Sequence, residues 1–172
     1  VKRKIVLALL ITVCFLLQST LFKALSLASI SPNLMIVITS SFGFMRGKKE
    51  GMWVGLFSGL LIDILYGGIF GFYGMIYMYL GYINGFFHKI FFRDDVKLPM
   101  MLITGSTLSY GLIIYVVMFL LRNRLNFIYY LGNVIIPETI YTLVITIILY
   151  RIILKINRWL EADEKGSAGK FV

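Results

Sequence analysis

The sequence predicts an all-α integral membrane protein, a bundle of six transmembrane helices with both termini on the inner side. Three observations carry this. The 172 residues are 59% hydrophobic and 15% charged, with mean hydropathy +0.88, whereas soluble domains average about 45–50% and about 25%. Charges and Pro/Gly clusters divide the apolar sequence into six runs, of the order of the roughly 20 residues a spanning helix needs. Lys and Arg fall mainly on alternate connections, as the positive-inside bias requires.

The first run, Ile5–Phe22, follows Lys2-Arg3-Lys4. A secretory signal would start the same way, and an A-x-A-like site lies near Leu25–Ser29. The apolar stretch exceeds the roughly 7–15 residues of a signal core, so it reads as a retained helix. The second and third runs, Ser31–Met45 and Gly51–Tyr66, are short. Each spans with flanking residues or meets a thinned bilayer. The fourth, Phe70–Phe92, carries aromatic residues at both ends, as interfacial belts do. Leu98–Leu121 is the fifth. The sixth, Asn126–Leu154, contains Pro137, which fits either a kinked helix or an interfacial piece followed by a span.

Six spans place fourteen of the 17 cations inside and leave Lys23, Arg122 and Arg124 outside. That asymmetry predicts cytoplasmic termini. It accounts for the net charge of +9 through topology and anionic-lipid contact, without nucleic acid. Residues 1–160 form a single transmembrane domain on this reading. The stretch 161–172, acidic and then rich in Gly, Ser and Ala, reads as a disordered cytoplasmic tail.

The inventory leaves little room for chemistry. Cys14 is the single cysteine and His88 the single histidine, so an intrachain disulfide, a soft-metal site and Cys–His catalysis are not expected. No H-E-x-x-H, P-loop, nucleophile elbow or S-x-x-K motif occurs. Neither cofactor nor catalytic residue is expected.

Two carboxylates stand apart from the others, which fall in loops or the tail. Asp63 lies within LLIDILY and Glu138 within VIIPETIY. A carboxylate at membrane depth is costly and faces protein or a wet cavity. Both fall in the outer half, where they could share an outward-open cavity with Arg122 or Arg124 as counter-ion, or each stand alone as a partly hydrated helix-end acid. A second pattern is glycine at every fourth position. Gly43, Gly47, Gly51, Gly55 and Gly59 lead into Asp63, and Gly67 and Gly71 follow. Such a stripe lets another backbone approach closely, either within the bundle or from a partner helix. Gly81 and Gly85, beside Asn84, offer a matching face.

Together these residues resemble the MreD family of rod shape-determining proteins. Pro32-Asn33 opens the second helix and Arg46 closes it. Gly55, Gly59, Leu61, Asp63, Gly67 and Gly71 form the string G-x3-G-x-L-x-D-x3-G-x3-G, and Asn133-x3-Pro137 precedes the last span. Tyr66-Gly67-Gly68 departs from the family pattern, where a small polar residue is more usual. The resemblance implies a non-enzymatic scaffold of bacterial cell-wall elongation, multi-pass in the inner membrane. Its implied partners are MreC, RodA, a class B penicillin-binding transpeptidase and the MreB filament. The family's helical core is also similar to the substrate-binding subunits of energy-coupling-factor vitamin transporters, which supplies the alternative reading. Against that alternative, the A-x3-A docking patch of those subunits is matched here only by Ala8-x3-Thr12.

Overall fold

The computed structural model describes residues 1–26, 29–66, 68–91, 94–120 and 126–169, and its long elements are all helices. Helix α1 (Lys2–Ser19) is followed by the single turn α2 (Leu21–Ala24), then α3 (Leu34–Arg46) and α4 (Lys48–Tyr66). Helix α5 (Phe72–Asn84) tightens into a 3-10 turn over Gly85–Ile90, and α6 (Lys97–Ile114) widens into a π turn over Tyr115–Leu120. The short α7 (Phe127–Tyr130) passes through a π turn, Leu131–Ile135, into α8 (Ile136–Ala168). Pro137 therefore sits in the first turn of α8, where a missing N–H is tolerated.

Helix α3 is the axis of the bundle. Every residue from Leu34 to Met45 is buried, and α1, α4, α5, α6 and α8 all touch it. Its polar Thr39, Ser40 and Ser41 are buried with its apolar residues, because protein wraps the helix on every side. That explains its shortness: 13 residues reach about 20 Å at 1.5 Å each, short of a hydrocarbon layer about 30 Å thick. Its N-terminus is capped by Asn33, whose Oδ1 accepts from the Ile36 N–H at 3.2 Å. It ends at Gly47, φ +103°, a conformation that suits glycine and lets α4 start one residue later. His88 closes the same end, its Nδ1 3.0 Å from the Phe44 carbonyl. A carbonyl only accepts, so Nδ1 carries the proton there.

Among the described residues three helical stretches are long and apolar enough to cross a membrane: Lys2–Ala24, Lys97–Met118 and Phe127–Ala168. The last has 42 residues, about 63 Å of helix, far more than a hydrocarbon core can hold. The apolar part ends near Leu154, and residues 158–168 project beyond it. Helix α8 thus continues through the first residues of the stretch expected to be an irregular tail, because contacts with α1 and α3 hold it.

Candidate functional site

The glycine stripe lies inside the fold, along the antiparallel contact of α4 with α5. A Cβ at Gly51 would sit 3.0 Å from the Gly81 carbonyl carbon (and 2.6 Å from the Gly43 Cα of α3), one at Gly55 2.6 Å from the Tyr77 carbonyl carbon, and one at Gly59 2.5 Å from the Gly74 Cα. From the other side, a Cβ at Gly81 would meet the Gly51 carbonyl carbon at 2.5 Å, and Gly85 faces Gly47 and Lys48. The register advances by four on α4 as it falls by four on α5, so the two backbones touch at successive turns. With lipid outside, close backbone approach supplies the dispersion contacts that hold such a pair.

Asp63 closes the end of this seam where α4 ends and α5 begins. It is 4% exposed. Its Oδ2 accepts from the N–H groups of Gly71 and Gly74, and its Oδ1 from that of Tyr73, each at 3.0 Å. The carboxylate of α4 thereby caps the N-terminus of α5, where unpaired donors and the helix dipole favour negative charge. Gly71 takes φ +94° to make the turn. Gly67 lies outside the described residues, as do Arg122 and Arg124. Asp63 faces the α5 backbone, and the cavity nearby is lined by Glu138 and not by Asp63, which favours two separate acids over a shared cavity.

That cavity, about 240 Å³, lies at the end of the bundle where α3 and α5 begin and α4 and α6 end. Five tyrosines border it: Tyr66, Tyr73, Tyr77, Tyr110 and Tyr130. Four of them form a continuous ring series, with centroids 6.3 Å apart for Tyr66–Tyr73, 6.4 Å for Tyr73–Tyr110 and 5.5 Å for Tyr77–Tyr110. Asn33 organises the floor. Its Oδ1 also accepts from the Tyr77 hydroxyl at 2.9 Å, and its backbone N–H donates to Thr142 Oγ1 at 3.0 Å.

The opposite end holds an ion network. Arg46 Nε donates to Asn157 Oδ1 at 2.5 Å, and its Nη1 to Glu164 Oε2 at 3.0 Å. Arg3 reaches Glu164 at 3.0 Å and Glu50 at 2.9 Å. Burial pushes the Glu164 carboxyl up, but the two guanidinium groups outweigh it and hold the carboxyl below its ordinary range. Glu50 and Glu164 had no assigned role in the sequence; the network joins α1, α3, α4 and α8 through them. Only the basic partner, Arg46 closing its helix, was singled out from sequence.

A third feature is a groove of about 770 Å³ between α1 and α4. Arg3, Lys4 and Glu50 mark one end and Ile64 the other, with Ala8, Trp53, Val54 and Phe57 between. Trp53 and Phe57 are about half exposed and stack at 6.1 Å. Among the described residues no group of three or more His, Cys, Asp or Glu is placed to hold a metal ion.

Comparison with known proteins shows that the family model for the rod shape-determining protein MreD matches residues 2–159. No curated protein and no solved structure matches the chain.

Proposed function

The chain belongs to the MreD family, and from that premise we propose that it is a non-enzymatic scaffold of the bacterial cell-wall elongation complex. It sits in the inner membrane as six spans with both termini inside, and it holds MreC together with RodA, a class B penicillin-binding transpeptidase and the MreB filament. The family is a shape-determining one, not an enzyme family. The basic connections favour the orientation. The contacts of Arg3 with Glu164 and of Arg46 with Asn157 put the start of α1, the end of α3 and the end of α8 at one level, as an even number of crossings between them requires.

The observation that carries the reading is the α1–α4 groove. Gly51, Gly55 and Gly59 pack against neighbouring backbone and Asp63 bonds the start of α5, which favours a different surface for a partner chain. The groove is a concave apolar surface along α1 and α4. From Glu50 to Ile64 it follows α4 for about 21 Å, which would seat the larger part of a helix crossing a hydrocarbon layer about 30 Å thick, such as the spanning helix of MreC. Ala8 keeps its floor low on the α1 side.

Co-purification of MreC in mild detergent tests this. Ala8→Trp, which fills the groove from an exposed position, should cut MreC recovery by about tenfold, equivalent to about 1.4 kcal/mol. Ile148→Trp, on the exposed face of α8, should leave recovery unchanged. Full recovery of MreC with Ala8→Trp would refute the assignment. The vitamin-transporter alternative finds less support: at about 240 Å³, the outer cavity falls below the roughly 300–1,000 Å³ of drug-sized ligand sites.

A further inference from the structure

We propose that the tyrosine-lined cavity at the outer end of the bundle binds a primary alkylammonium group, held by the Glu138 carboxylate and the surrounding tyrosine rings. The argument is one of charge and shape. No Lys or Arg is among the described residues that line the cavity, while Glu138 does. Helix N-termini ordinarily favour anions, and α3 and α5 both begin here. Those two are already satisfied, α3 by Asn33 and α5 by Asp63. The Asn33 oxygen is fully used, accepting from Ile36 and Tyr77. Among the described residues at the cavity, what remains to be matched is negative.

The tyrosines add to this. Their rings run from Tyr66, 58% exposed at the mouth, to Tyr77, 0% exposed at the floor. An ammonium group is attracted to aromatic rings within about 6 Å, more strongly once desolvated. The volume of about 240 Å³ corresponds to roughly eight waters at about 30 Å³ each, enough for an aminoethyl group and too small for a large cofactor. Such a group has two sources at the outer face: the headgroup of an ethanolamine phospholipid, or a free small amine.

The test uses the full chain in lipid nanodiscs. In one arm, native mass spectrometry follows lipid retention from nanodiscs of equal phosphatidylethanolamine, phosphatidylglycerol and phosphatidylcholine. In the other, ethanolamine is titrated calorimetrically into the protein in phosphatidylglycerol alone. Selective retention of the ethanolamine lipid supports the site with a lipid source, and ethanolamine binding supports it with a soluble one. In either case Glu138→Gln should weaken binding by at least about tenfold. Tyr66→Leu, at the exposed mouth, should weaken it several-fold and serves as the second variant should Glu138→Gln fail to fold. Wild-type protein with neither lipid selectivity nor amine binding would overturn the proposal, as would undiminished binding by folded Glu138→Gln.

Discussion

Replacing Gly55 by alanine isolates the α4–α5 seam. In an open helix position, alanine for glycine is favourable by about 1 kcal/mol. At Gly55 the new Cβ would lie 2.6 Å from the Tyr77 carbonyl carbon and 3.0 Å from the Met78 nitrogen. Both are backbone atoms, so no side chain can swing aside and the helices must part by the order of 1 Å. Overpacking of this kind costs about 1–3 kcal/mol, and separation also thins the contacts at Gly51 and Gly59. The clash should exceed the propensity gain, leaving Gly55→Ala about 1–2 kcal/mol less stable. Gly105 is the control, because a Cβ there meets nothing within 4 Å. Thermal unfolding in detergent, followed by tryptophan fluorescence, should show a lower Tm for Gly55→Ala and an equal or higher Tm for Gly105→Ala. Indistinguishable shifts for the two would refute close backbone packing as the source of stability, and Gly55→Leu should then fold as well.

Asp63→Ala leaves the N–H groups of Gly71, Tyr73 and Gly74 without their acceptor. The loss should reach about 3 kcal/mol and exceed that of Glu50→Ala in the same melts; equal, negligible losses would contradict the capping role. Asn84 donates across helices to Ser40 at 3.3 Å and Ser106 at 2.7 Å. At about 0.6 kcal/mol per interhelical bond, Asn84→Ala should cost about 1 kcal/mol by unfolding in a graded detergent titration. Glu164 gives a pH dependence. Its folded carboxyl is held below the unfolded value of 4.5, so its contribution is present above that pH and disappears as pH falls through the lower folded value. Wild type should lose Tm on acidification below about 4.5 more steeply than Glu164→Gln; parallel acid limbs would remove Glu164 from the account.

The pattern of apolar runs, the positions of the cations and the every-fourth-residue glycines were legible in the chain because each is periodic and local. They determined a helical membrane protein of the MreD type, the positions of α3 to α6 to within several residues, and Asp63 as a residue that needs a partner. Hydropathy could not tell which apolar helix meets lipid and which meets protein, since both surroundings are equally oily. Only the packing of α1, α4, α5, α6 and α8 made α3 the core. Spacing showed that a second backbone could approach Gly51, Gly55 and Gly59, but both a partner and a neighbour satisfy that condition. The α4–α5 hairpin decided for the neighbour. The pairings of Asp63 with the start of α5, Asn33 with Tyr77 and Thr142, and Arg3 and Arg46 with Glu164 link residues from 8 to 161 apart in sequence. No local rule encodes such distances, because the free energy that selects these partners exists only once the helices have met.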